Sequence, residues 1–177
     1  MEYFDILDEQ GNKTGGVITR DAAHKRGLWH KAVHAWIVND KNQILIQKRA
    51  AIKESHPNMW DISIAGHVAA GDDSITTCIR EAKEEIGIDL DESDFEFLLT
   101  LHSQCILNNN TYFNNEYHDI YIIKRNLDIE KLTLQEEEVA EVKFINLTNL
   151  KKKIEEKDPE FVMHDEEYRA LFKYLEK

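Results

Sequence analysis

Proline and glycine are scarce in this chain, 2 and 7 of 177 residues. No Pro/Gly/Ser-rich stretch divides it, so one domain covering residues 1–177 is expected. Cysteine is limited to Cys78 and Cys105, without the spacing of a metal site and too few for a disulfide framework. Both read as reduced core or near-core thiols. No apolar run approaches the ~18 to 20 residues that span a bilayer. The amino terminus, "MEYFDILDEQ", is acidic where a secretory or transit peptide would be basic, so a cytoplasmic protein is expected. Positive charge is also short: 22 Lys+Arg against 34 Asp+Glu, a net charge of -12. That balance repels nucleic acid and anionic membranes. An anionic substrate would have to be received by metal ions and a few placed cations.

What is present is 42% hydrophobic residues arranged as interleaved strands and helices. "YFDILD" and "GGVIT" flank a polar turn and read as an opening hairpin within about 1–20. "AVHAWIV" and "ILIQKR" flank "NDKNQ" and read as a second hairpin. "DISIAG" reads as one short strand. "FEFLLTLHSQCIL" and "EYHDIYIIKR" read as strands separated by the Asn-rich loop "NNNTYFNN", and "VAEVKFINL" as a further strand. Helices are expected over about 148–177, in "TNLKKKIEEK" and "DEEYRALFKYLEK". Tyr168, Leu171, Phe172 and Leu175 recur at helical spacing, a stripe that packs on its own domain or on a second copy in a homodimer. The runs "EEE" and "KKK" read as solvated faces and loops. The fold class is α/β, a mixed sheet with helices packed against it.

"GHVAAGDDSITTCIREAKEEIGI" carries the chemistry. Asp72, Asp73 and Ser74 suit a helix start and Gly87 a stop, so the spacing predicts a helix over Ser74 to Ile86. At ~100° per residue Ile75, Ile79, Ala82 and Ile86 form an apolar stripe. Glu81, Glu84 and Glu85 then cluster in a sector away from it, with Arg80 beside Glu84 at i,i+4. Three carboxylates on one face suit a hard divalent cation, which prefers oxygen ligands.

The segment resembles the signature of the Nudix hydrolase family: a glycine, five residues, an acid, seven residues, then Arg-Glu-apolar-x-Glu-Glu-x-Gly-apolar. Gly66, Arg80, Glu81, Ala82, Glu84, Glu85, Gly87 and Ile88 match it, and Asp72 stands where the first acid is usually Glu. The resemblance implies a Nudix-type α/β/α sandwich and hydrolysis of a small-molecule diphosphate. It also implies Mg2+ or Mn2+ held by Glu81, Glu84 and Glu85, with Arg80 orienting the cluster. Attack on a polyanion faces a charge barrier that such ions lower. The general base stays open among Glu81, Glu116 and Glu138.

"RDAAHKRGLWHKAVHAWIVN", "LIQKRAAIKESHPNMWDIS" and "AGH" resemble the Nudix branch that contains isopentenyl diphosphate isomerases, over roughly Tyr3 to Leu147. That resemblance implies a second metal at His24, His30, His67 and Glu116, with Asn114 where the isomerases carry a further carboxylate. It also implies diphosphate contacts from Arg49 and Lys53. Isomerase chemistry depends on a cysteine before the Gly-His pair, and Ala65 stands there. The isomerases have also lost most of the glutamates kept here, so hydrolysis is the expected activity and prenyl diphosphate isomerisation the alternative. Trp60 reads as core or as a platform for a base or prenyl group. Nothing resembles a nucleobase-reading motif, and the leaving group stays open.

Overall fold

The computed structural model describes residues 1–107, 109 and 111–177. β1 (Tyr3–Leu7) and β2 (Lys13–Thr19) form the expected antiparallel hairpin, with Phe4 opposite Ile18. A short helix absent from the sequence reading follows, α1 (Arg20–Arg26), capped by the Thr19 hydroxyl and closed at Gly27. Seven residues are too few to show helical periodicity, which is why the pattern missed it.

The remaining strands build one mixed seven-stranded sheet. β3 (His30–Val38) pairs antiparallel with β4 (Gln43–Arg49) only at Val38 and Ile44. The segment read as one strand, "DISIAG", is two: β5 (Trp60–Asp61) pairs with β4, and β6 (Ile64–His67) pairs with the first half of β3. The break follows from Ser63. Its hydroxyl accepts the Ile37 N–H and donates to the Leu45 carbonyl, satisfying backbone groups where β3 and β4 diverge.

After β6 come α2 (Ser74–Ile86), β7 (Phe95–Leu107) and β8 (Tyr112–Lys124). β8 takes up the second half of the expected Asn-rich loop; Asn108 and Asn110 lie outside the described residues. From Glu116 onward it runs parallel to the whole of β3, with His30 opposite Glu116 and Val38 opposite Lys124. β9 (Val139–Asn146) pairs antiparallel with β4, and α3 (Leu147–Glu155) and α4 (Asp165–Leu175) follow.

Alternation along β3 and β8 divides the core into two layers. Val33, Ala35, Ile37, Tyr121 and Ile123 point to α2 with Cys78, Ala82 and Ile86. Trp36, Val38, Ile120 and Ile122 point the other way and pack on Leu150 of α3 and on Tyr168, Leu171 and Phe172 of α4. The apolar stripe of the carboxyl-terminal helix is thus buried within its own chain. No helix of the described residues is long and apolar enough to cross a membrane.

Candidate active site

α2 spans the predicted residues, with the Asp73 side chain accepting the Thr76 N–H and Gly87 closing it in the left-handed conformation (φ 75°). Its rotation differs from the expectation. The residues against the sheet are Ser74, Thr77, Cys78, Ala82, Glu85 and Ile86, whereas Ile75 and Ile79 are half-buried on the flank. The buried face is therefore turned by roughly 80° from the isoleucine stripe at ~100° per residue. Small side chains explain this: Ser74, Thr77, Cys78 and Ala82 allow α2 to approach β6 closely, and the bulky isoleucines fill the rim.

The rotation separates the three glutamates by depth. Glu85 is buried, Glu81 nearly so, and Glu84 is exposed (side chain 53%). Glu81 presses on Gly66, where an added Cβ would lie 2.5 Å from its Cγ and Cδ. Glu85 reaches both β6 and β4, accepting the Ala65 N–H and, at 3.3 Å, a hydrogen bond from Gln47 Nε2. Arg80 answers Glu81 at 3.1 Å and Glu84 at 3.7 Å. Burial pushes Glu81 up to about 7, against Arg80, and burial with the Glu81 charge pushes Glu85 up to about 8. Glu138, before β9, joins the same electrostatic cluster and pairs with Lys53. Gln47 Oε1 and Arg80 Nη2 are buried here without a partner among the described residues. A crowd of carboxylates short of positive charge, with a polar oxygen unspent, is a donor set that a divalent cation would complete.

Glu116 is not part of this cluster. His24, His30, His67 and Glu116 bring their ligand atoms within 4.8 Å of one another on the opposite face, since Gly66 and His67 are neighbours on one pleated strand. His24 Nδ1 donates to the Arg20 carbonyl and His30 Nδ1 to the Leu28 carbonyl, each at 2.9 Å. In its neutral form each ring then offers the Nε2 lone pair inward. Burial, then the charges of His30 and His67, holds His24 down at about 4, so it is neutral. Its Nε2 faces Asn114 Oδ1 at 3.1 Å, acceptor against acceptor, while the Asn114 amide nitrogen is committed to Glu116 Oε2. Turning the amide would only move the conflict to Glu116. A cation among these atoms removes it, so this donor set also fits a metal.

Arg49 and Lys53, the expected diphosphate contacts, are also engaged within the chain. Arg49 donates to the Ser55 carbonyl, Ser55 Oγ and Asp61 Oδ2, pinning the loop after β4, and Lys53 is paired with Glu138. Sequence reading missed the other partner of Asp61, His164, whose Nε2 lies 2.9 Å from Asp61 Oδ1. Burial pulls His164 down, but the hydrogen bond and charge of Asp61 prevail and hold it at about 9. Trp60 is buried in the α3/α4 layer with Lys143 Nζ 3.6 Å from the ring centroid, a core position. A cavity of about 380 Å³ lies elsewhere, between the opening hairpin and the start of α2, and includes neither cluster.

The fold and both clusters define a class. Residues 28–164 match the NUDIX domain, and the chain belongs to that family. It is 39% identical over 176 residues to Nudix hydrolase 3 of Arabidopsis thaliana, covering 97% of this chain and 23% of that protein. It is 33% identical over 90 residues to an isopentenyl-diphosphate Delta-isomerase of Citrobacter koseri, half of this chain and 49% of the isomerase. The solved structure of DR0079 from Deinococcus radiodurans shares the fold, with a TM-score of 0.68 at 19% identity, covering 99% of this chain and 98% of that one. Nudix enzymes generally use divalent metals.

Proposed function

We propose that this protein is a divalent-metal-dependent pyrophosphohydrolase, acting as one domain over residues 1–177. Its substrate is a small diphosphate such as a nucleoside diphosphate derivative. The observation that carries the reading is the carboxylate cluster of Glu81, Glu84, Glu85 and Glu138, packed against Gly66 and undersupplied with positive charge. Glu81, Glu84 and Glu85 would hold Mg2+ or Mn2+, which supplies charge stabilisation for phosphoryl oxygens when bound. Glu85 is fixed by Ala65 N–H and Gln47, and Arg80 orients Glu81 and Glu84. Glu138 is the general base we assign, because it reaches the cluster from the loop before β9 and its side chain keeps some exposure to solvent (36%). Lys53, freed from Glu138 by the substrate, would meet a phosphate.

The isomerase reading draws on the partial similarity and on the histidine cluster. Against it, Ala65 offers no thiol, Cys78 is buried in α2 with its thiol pushed up by burial, and Cys105 is exposed on β7. The test is to incubate the protein with Mg2+ or Mn2+ and a panel of nucleotide sugars, dinucleotides, thiamine diphosphate and isopentenyl diphosphate, and to identify products by mass spectrometry. Cleavage between two phosphates is expected. An isomerised prenyl product without cleavage would replace this reading with the isomerase.

A further inference from the structure

Asp61 is a buried carboxylate that ties two distant parts of the chain together. Its Oδ1 accepts from the Ile62 N–H and from His164 Nε2, each at 2.9 Å, and its Oδ2 accepts from Arg49 Nη1 at 3.1 Å. Burial opposes the charge on Asp61, but His164 and Arg49 hold it below the ordinary carboxylate range, so both oxygens only accept. His164 stands at the start of α4, which its side chain does not cap. Its ring also faces Glu167, Tyr168 and His34, but the Glu167 carboxylate is committed to Trp36 Nε1 at 2.7 Å and His34 Nδ1 at 2.8 Å. Asp61 is thus the acceptor left to it.

A guanidinium carries five N–H donors and pairs most strongly with a carboxylate through two of them at once. In Arg49, Nε and Nη2 each give one hydrogen to Ser55, to its carbonyl at 3.0 Å and its hydroxyl at 3.1 Å, and Nη1 gives one to Asp61. One hydrogen on each Nη is left without a partner among the described residues. The pairing with Asp61 is single because Oδ1 is already filled by two donors. Without His164 that buried oxygen would be short of a donor, and the unspent hydrogens beside it belong to Arg49. A two-bond pair would then withdraw the guanidinium from any other anion. The place gives this weight: Arg49 lies opposite Val139, next to Glu138, and the Ala50 N–H bonds the Glu138 carbonyl at 2.9 Å, so this end of β4 adjoins the carboxylate cluster.

We propose that His164 is a positioning residue for Arg49: by filling Asp61 Oδ1 it limits Asp61 to one guanidinium hydrogen and keeps a hydrogen on each Nη for the diphosphate of the substrate. This rests on the pyrophosphohydrolase reading. The donors offered by a strand in the first third of the chain are thereby set from the head of its last helix.

The probe is methylenediphosphonate, a diphosphate whose bridge resists hydrolysis, titrated in the presence of Mg2+ and followed by calorimetry. His164→Asn is too short to reach Asp61 and suits the head of α4 as a cap, so the fold is retained; His164→Ser, a second capping residue, takes its place should H164N not fold. H164N is expected to bind the probe about 10-fold more weakly than wild type. His164→Gln, whose amide nitrogen takes the place of Nε2, is expected to stay within about 3-fold. Arg49→Met is also expected to cost about 10-fold, and H164N in the R49M background nothing further, because His164 acts through Arg49. Unchanged affinity in H164N, an equal loss in H164Q, or losses that add in the double variant would each overturn the proposal. R49M at wild-type affinity would sink it too, while leaving the hydrolase reading in place. Wild-type protein that binds no probe would refute the diphosphate reading itself, and the proposal with it.

Discussion

Gly66 and His67 are consecutive on β6, yet they face two different chemistries. On the α2 side, Gly66 receives Glu81 in a cluster whose charged donors are carboxylates. On the other side, His67 joins His24, His30 and Glu116, where imidazole nitrogens dominate. The difference teaches that the pleat of one short strand is enough to hold an oxygen-rich cluster and a nitrogen-rich cluster apart, because side chains alternate with period two. It also separates their supports. The carboxylates depend on how closely α2 approaches the sheet, the histidines on backbone carbonyls of α1 and its flank.

If hydrolysis belongs to the α2 side, Glu81→Gln, Glu84→Gln and Glu85→Gln are each expected to lower turnover by about 100-fold or more, ~2.7 kcal/mol of barrier. His30→Gln is expected to cost about 10-fold or less in the same steady-state assay. Equal losses would erase the distinction between the faces.

A second difference is electrostatic and is read in stability. His164 stands at about 9, above its ordinary value near 6.5. A group raised in the folded state contributes stability that is complete below pH ~6.5 and is lost as pH rises through about 9. Urea unfolding of the wild-type protein should lose on the order of 2 kcal/mol over that window relative to His164→Asn. The same slope in both proteins would show that Asp61 does not hold the charged imidazole.

Gly66→Ala sharpens the comparison from the strand itself. The new methyl would displace the flexible Glu81 side chain rather than backbone. Turnover is expected to fall about 10-fold, with a melting temperature within a few degrees of wild type. Unfolding instead would mean that the close approach serves the fold more than the site. The smallest effect is expected at Gly87, whose φ of 75° and contacts with Thr133 oppose a side chain. Gly87→Ala should cost about 1 kcal/mol of stability and leave metal affinity nearly unchanged, measured by calorimetry.

Much of the fold was legible because it is written in local periodicity and punctuation. The limits of α2, its Asp73 cap, its Gly87 stop and the opening hairpin all follow from residues within a few positions of one another. The spacing from Gly66 to Ile88 carried the resemblance to the family signature. Which face of α2 meets the sheet was not legible, because the isoleucine stripe and the small residues Thr77, Cys78 and Ala82 make competing claims that only the depth of the groove above β6 resolves. The assignment of Glu116 to the opposite face needed the parallel pairing of β3 with β8, which joins residues 86 positions apart. The bond from His34 to Glu167 closes over 133 positions and leaves no periodic trace in the chain. The sequence by itself determined which elements form and which residue types are available for chemistry, since propensity and spacing act along the chain. Only the tertiary structure decided which of those residues meet, since burial and hydrogen bonding act across it.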